Sequence, residues 1–243
     1  MKKPETEAFW MFKIKKCLIC NEEVESVFSW KDIWVSSDNE KICSDCRGKL
    51  AFLSGERCKM CSRELEEKYQ QDGLCLDCVR WENDSEWRGF LSANISLFHY
   101  NDFLKETIAK FKYRGDYALA EAFASFVAEK IEHMSHDIIV PIPLSNERMA
   151  ERGFNQAKAL AETAGLKTYD ALLRTHTEKQ SKKSREERIR LAQVFKVTGP
   201  DTIKGKKILL IDDIYTTGST LRHAAKILKQ SGAEEIYSLT LAR

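Results

Sequence analysis

No stretch of this 243-residue chain offers the roughly 18 to 20 consecutive apolar residues that a membrane-spanning helix needs. An integral helical membrane protein is therefore not expected. The segment Met1 to Lys16 is basic, but its short apolar patch is broken by Lys13 and it lacks a small-residue cleavage site. A secretory signal is not expected, and a cytoplasmic protein is. Also lacking is an excess of either charge, since 39 Lys and Arg against 37 Asp and Glu leave a formal net charge of +2. That balance does not point to a nucleic-acid partner by itself; only local basic clusters could make one. With 43% hydrophobic and 31% charged residues, the composition is that of a soluble globular protein, one large domain or two modest ones.

Cysteine, in contrast, is plentiful and ordered. All eight fall into four Cys-x-x-Cys pairs: Cys17/Cys20, Cys43/Cys46, Cys58/Cys61 and Cys75/Cys78. Eight cysteines could mean four disulfides in a secreted protein, but the spacing argues otherwise. A two-residue gap lets both thiolates of a turn address one metal ion, and two such knuckles complete a tetrahedral four-thiolate zinc site. Structural zinc is the expectation, because a closed all-thiolate site leaves no open coordination position. A thioredoxin-like redox pair and an iron–sulfur cluster are the alternatives. Spacing leaves the pairing open between sequential knuckles, Cys17/Cys20 with Cys43/Cys46 and Cys58/Cys61 with Cys75/Cys78, and interleaved, cross-braced ones. Sequential pairing is favoured, since Val24 to Val35 reads as a strand-rich excursion able to return to its own start. A module of residues 1–80 has little core of its own, so the metal would supply much of its folding energy.

The strongest signal is Ile208 to Leu221, ILLIDDIYTTGSTL. Four aliphatic residues followed by two aspartates fit a strand buried on both faces. Thr216-Thr217-Gly218-Ser219-Thr220 then makes a tight loop, and Leu221, Ala224, Ala225, Ile227 and Leu228 follow helical spacing. A strand, loop and helix joined this way turn the loop amides and helix N-terminus outward at the carboxyl end of a sheet, where they form a phosphate site. Asp212 and Asp213 would repel that phosphate; they suit hydroxyl groups or a hydrated Mg2+ on the same ligand. A ribose 5-phosphate meets both demands. The order of these fourteen residues resembles the signature of type I phosphoribosyltransferases, which bind 5-phosphoribosyl-1-diphosphate (PRPP). The resemblance implies that Asp212 and Asp213 hold ribose hydroxyls, that Thr216, Thr217, Gly218, Ser219 and Thr220 hold the 5-phosphate, and that Mg2+ accompanies PRPP.

Further upstream, Arg80 to Arg88 reads as a polar connection carrying Trp81 and Trp87 and lying on the next domain. A strand is expected at 95–100, then a helix from Asp102 through Phe111 capped by Asn101 or Asp102. Lys112-Tyr113-Arg114-Gly115-Asp116 breaks that helix before a second one with the stripe Leu119, Phe123, Phe126, Val127 and Ile131. Lys112 and Arg114 suit either a phosphate or a solvated turn. Ile138 to Leu144 is a second strong strand, ended by Pro141 and Pro143, which cannot donate ladder hydrogen bonds. Beyond it Arg148 and Arg152 lie four apart, so on a helix both address one anion, diphosphate in the PRPP reading. The alternative is surface ion pairs with Glu147 or Glu151. PIPLSNERMAERGFNQAKALAE, FKYRGD and the closing strand Ile236 to Arg243 together resemble the ComF (ComFC) late-competence family of bacteria. Its members join an N-terminal zinc-ribbon region to a phosphoribosyltransferase domain.

Leu172 to Phe195 is basic, with Arg174, Lys179, Lys182, Lys183, Arg185, Arg188 and Arg190, and has no core-facing period. It is expected to be a mobile loop. The resemblance implies that this loop closes over diphosphate through Arg174, Gln180, Arg185 and Arg188, and it departs from the family at Leu191, where relatives often carry asparagine. Strands at 95–100, 138–144, 193–197, 206–214 and 236–241 with intervening helices predict an α/β fold, a mostly parallel sheet covered on both faces. The resemblance makes this the type I phosphoribosyltransferase fold over residues 81–243, after the zinc-ribbon module. One strand is expected beyond the signature helix, and no hood over a base.

Two functions are weighed. The resemblance implies a competence-associated role in DNA uptake for natural transformation, with PRPP, single-stranded DNA and the uptake machinery as partners. DNA would meet Lys179, Lys182, Lys183, Arg185, Lys112 and Arg114, with Trp81 or Trp87 as a stacking platform if exposed, although burial at the domain junction is expected for at least one of them. The alternative is an active transferase, in which an acceptor attacks C1 of PRPP while Mg2+, Arg148, Arg152 and the basic loop stabilise departing diphosphate.

Overall fold

The computed structural model describes residues 15–24, 41–113, 115–175 and 194–243. In chain order the elements are α1 (Ser44–Lys49), β1 (Gln70–Gln71), β2 (Leu74–Cys75), α2 (Leu76–Asn83), β3 (Ala93–Phe98), α3 (Asp102–Tyr113), α4 (Ala118–Glu132) and β4 (Ile138–Pro141). There follow α5 (Asn146–Arg152), α6 (Gln156–Thr163), β5 (Leu172–Arg174), β6 (Phe195–Val197), α7 (Pro200–Ile203), β7 (Lys207–Ile214), α8 (Ser219–Gln230) and β8 (Glu235–Ala242). Four of the strands form one parallel sheet in the order β3, β8, β7, β4. The aliphatic run of β7 lies at its centre because both of its faces find cover. Leu209 and Ile211 pack with α3, α4 and α6 residues such as Phe111, Phe123 and Leu160, while Ile208 and Leu210 pack with Leu221, Ala225 and Leu228 of α8.

The cysteine knuckles are continuous with these two cores rather than separate from them. Cys17 and Cys46 join the first, and Cys58, Cys61, Cys75 and Cys78 join the second. The chain between the two cysteine groups also closes the outer edge of β3, through Leu53 N–H to Leu97 O at 3.2 Å and His99 N–H to Ala51 O at 2.8 Å. Met60 O, inside a knuckle, accepts from Asn94 N–H at 2.8 Å. An edge strand that would otherwise present unpaired backbone is thus covered.

Three expectations are corrected. The strand expected at 193–197 spans Phe195–Val197 and pairs antiparallel with β5, outside the parallel sheet. Its residues run buried, exposed, half-buried, so one face only is covered, unlike the sheet strands. The strand expected to reach Leu144 stops at Pro141, after which Ile142 N–H makes a last bond to Ile211 O at 2.9 Å. The connection at 80–88 lies on the α8 segment, as expected, but it is not simply a polar stretch. Its first part is the end of α2, and Trp81 and Trp87 are 5% and 4% exposed, edge to face at 5.5 Å. Indoles buried in this way offer no stacking platform to DNA. The excursion Val24 to Val35 falls almost wholly within residues 25–40, outside the described residues.

Candidate functional site

β7 carries Asp212, Asp213 and Ile214 to the carboxyl edge of the sheet, and Tyr215 to Gly218 lead into α8. Gly218 takes φ +78°, and a Cβ there would run into the phenol of Tyr215, which is itself buried. Only glycine closes this turn without moving that ring. The loop carbonyls are tied backwards. Arg243 Nη1 donates to Tyr215 O at 3.2 Å and Thr216 O at 2.7 Å, and Trp81 Nε1 donates to Thr217 O at 3.1 Å. The N-cap residue Gly218 has no side chain to cap α8, and the one side-chain bond at its start among the described residues is a long one, from Ser219 N–H to Thr217 Oγ1 at 3.4 Å. Thr216, Thr217, Ser219 and Thr220 line a cleft of about 340 Å³ at the positive end of that helix. Gly218 shapes the turn rather than lining the cleft.

Three guanidinium groups enter the same cleft, those of Arg148, Arg152 and Arg174. Local chemistry explains how Arg152 is held. Ser145 accepts from Arg148 N–H at 3.3 Å to start α5, and Gly153, at φ +78°, ends it just after Arg152. Phe154 packs on Phe111 and Tyr117, and Asn155 caps α6 by accepting from Ala157 and Lys158 N–H. Buried Gln156 then accepts from Arg152 Nη1 at 2.9 Å. Arg-Gly-Phe-Asn-Gln is in this sense a device for aiming one guanidinium. The surface ion-pair alternative fails for Arg152, which is buried; Arg148 stands exposed at the lip.

Arg174 is not a loop residue. It lies on β5 opposite Phe195, with its guanidinium 5.6 Å from the centre of that ring. Its pKa is lowered, first by burial and then by Arg148, with Arg152 adding to the effect and Asp212 opposing it. Cations crowded so closely would be relieved by an anion. Gln180, Arg185 and Arg188, with Lys179, Lys182, Lys183 and Leu191, fall in 176–193 and lie outside the described residues, as does Arg114.

The acid pair is asymmetric. Asp213 is 9% exposed and bonded to Lys112 Nζ at 2.6 Å. Lys112 is therefore neither on a solvated turn nor available to a DNA backbone; the last turn of α3 brings it into the cleft. Asp212 accepts from Asp213 N–H at 2.9 Å, yet its pKa is pushed up to about 7. Burial is the main cause and the Asp213 carboxylate the second, with the Asp213 amide, Lys112 and Arg174 opposing. Near neutral pH Asp212 is thus poised between its two protonation states.

The eight thiols gather sequentially, as Cys17, Cys20, Cys43 and Cys46 and as Cys58, Cys61, Cys75 and Cys78, with the sulfurs of each group within 4.8 Å of one another. All eight are free. Cys20 and Cys43 Sγ are 3.7 Å apart and Cys61 and Cys75 Sγ 3.6 Å. A disulfide needs about 2.05 Å, whereas sulfurs each about 2.3 Å from a tetrahedral ion lie about 3.8 Å apart. Both donor sets fit a thiolate-bound metal ion. Cys46 N–H and Cys75 N–H also donate to the sulfurs of Cys43 and Cys58, at 3.4 and 3.3 Å.

The model of the phosphoribosyl transferase domain family matches residues 118–243, which hold the cleft except for Lys112. Over 231 residues the chain is 38% identical to Competence protein ComFC of Bacillus subtilis, covering 93% of this chain and 94% of that protein. The chain belongs to the ComFC family. It is 35% identical to Competence protein ComFC of Streptococcus pneumoniae over 94% of this chain and 100% of that protein. With Competence protein F of Haemophilus influenzae the identity is 27% over 83% and 90%. The type I phosphoribosyltransferase fold, joined to two four-cysteine groups, is the one the resemblance implied.

What sequence reasoning missed are the partnerships that support the site. Lys112, Trp81 and Arg243 all lie in segments singled out above, but nothing local pairs Lys112 with Asp213, Arg243 with the loop carbonyls or Trp81 with Thr217. Only a fold template could have suggested them.

Proposed function

We propose that the cleft binds PRPP and that the protein serves DNA uptake in natural transformation from the cytoplasmic side. One observation carries the binding reading: an acid pair, a helix N-terminus entered through glycine and three arginines open into one cleft. The 5-phosphate is assigned to Thr216 through Thr220, the ribose hydroxyls to Asp212 and Asp213, and diphosphate to Arg148, Arg152 and Arg174. Asp212 and Asp213 would also meet a Mg2+ that neutralises part of the diphosphate charge. Zinc is assigned to both four-cysteine groups, as a structural ion.

The role in DNA handling is supported by the relatives. Three are named competence proteins, and a DNA utilization protein, YhgH of Escherichia coli strain K12, is 26% identical over 225 residues. DNA contact is assigned to the basic stretch 176–193. A second reading, transfer to an acceptor, draws on the three cations at the diphosphate end. There the acceptor's lone pair would form the bond to C1 as the C1–O bond breaks, the electron pair leaving with diphosphate and the acceptor's proton passing to solvent.

A titration of PRPP with and without Mg2+, followed by competition with single-stranded DNA, tests the proposal. Saturable binding strengthened by Mg2+ is expected. Absence of PRPP binding by the folded, metal-loaded chain would overturn it. Release of diphosphate with a candidate acceptor would favour the transferase.

A further inference from the structure

α2 belongs to the second cysteine group through Cys78, and its next turn carries Trp81 and Glu82. One side chain reaches the signature segment and the other the residue that follows it. Trp81 Nε1 donates to Thr217 O, and Glu82 Oε1 accepts from Arg222 Nη1 at 2.7 Å. Arg222 is fully buried in the first turn of α8, with its guanidinium 5.0 Å from the Trp81 ring centre, and does not line the cleft. Beyond α2 the grip continues. Trp87 meets the His223 ring at 4.6 Å and lies under Lys226 Nζ at 4.3 Å, while Lys226 reaches Glu86 at 2.8 Å.

The direction of these bonds matters more than their number. In a trans peptide the C=O and the following N–H point opposite ways. Tying Thr216 O to Arg243 and Thr217 O to Trp81 turns the amides of Thr217 and Gly218 away from those partners, the orientation an anion-binding turn requires. We propose that Trp81 and Glu82 are positioning residues of the phosphate loop, and that the second cysteine group, by anchoring α2 at Cys78, sets how that loop meets an anion. The consequence for ligand binding rests on the PRPP reading; the positioning itself does not.

The full-length, metal-loaded chain with Trp81→Phe tests this, because an aromatic ring is kept in the pocket beside Arg222 while the donor to Thr217 O is lost together with part of the indole. Amide exchange at Thr216 to Thr220 is expected to accelerate in the ligand-free variant, with metal content unchanged. Affinity for ribose 5-phosphate should fall about tenfold, the effect of orphaning one half-buried carbonyl, while affinity for inorganic diphosphate, which depends on the arginines, stays the same. Unchanged exchange at these amides would overturn the proposal, as would equal losses for both ligands, the mark of general loosening. A wild-type chain that binds no ribose 5-phosphate would instead refute the PRPP reading, with exchange still deciding the positioning. Chelator release of metal should accelerate Thr216 to Thr220 before the amides of β8. Acceleration of β8 first, or of neither, would argue against the anchor.

Discussion

Asp212→Asn removes a carboxyl that burial and Asp213 push from 3.8 to about 7. Between those values the native chain holds a proton that the unfolded chain has already lost, so the ionisation of Asp212 weakens the fold as pH rises from about 4 to about 7 and has its full effect above. At about 1.36 kcal/mol per pH unit the full effect is about 4 kcal/mol, an upper bound for what Asp212→Asn can recover at pH near 8. Urea unfolding should show the variant more stable than wild type there and level with it near pH 4.

Ribose hydroxyls act the other way. They donate to the ionised carboxylate, so binding expels the proton. PRPP affinity should therefore rise almost tenfold per pH unit up to about pH 6.5 and flatten above about pH 7.5. Calorimetry in two buffers of different ionisation heat should read close to one proton released per PRPP near pH 6 and almost none near pH 8.5. The ligand's own phosphate titrates near pH 6, so the protein's share is the difference between wild type and Asp212→Asn. Equal proton release by the two, or a wild-type affinity that is flat with pH beyond the ligand's own share, would refute the reasoning.

Gly218→Ala must hold a Cβ at φ +78° against Tyr215. Left-handed strain of about 1 to 2 kcal/mol, with displacement of a buried ring, should lower the melting temperature and abolish ribose 5-phosphate binding; a variant that matches wild type in both would contradict the turn geometry. Metal analysis should find two zinc ions per chain, and Cys61→Ser should leave one. Zero zinc with four disulfides by mass spectrometry would sink the assignment. If 176–193 meets single-stranded DNA, Lys182→Ala, Lys183→Ala and Arg185→Ala together should flatten the salt dependence of binding by about two to three units, and an unaltered slope would exclude those contacts.

The features legible in the chain were those built from neighbours in sequence. ILLIDDIYTTGSTL declares a buried strand, a turn and a helix start within fourteen residues, because each depends on local periodicity and on one glycine. The Cys-x-x-Cys knuckles are local in the same way, and their sequential pairing was a preference that packing decided. Arg174 was misread because a basic residue at the start of a polar run looks like loop, while its place on β5 depends on pairing with Phe195 across residues that carry no strand pattern. Burial of at least one of Trp81 and Trp87 is expected from the sequence, but which one cannot be read from composition; packing against α8 buries both and leaves neither for DNA.

The chain by itself determined which segments could be strand, knuckle and phosphate loop. What only the tertiary structure decided was which distant groups satisfy them, Lys112 for Asp213 and Trp81 for a carbonyl 136 residues away. The physical reason is that a buried charge or carbonyl must find a partner, but its identity depends on which surfaces the folded sheet brings together.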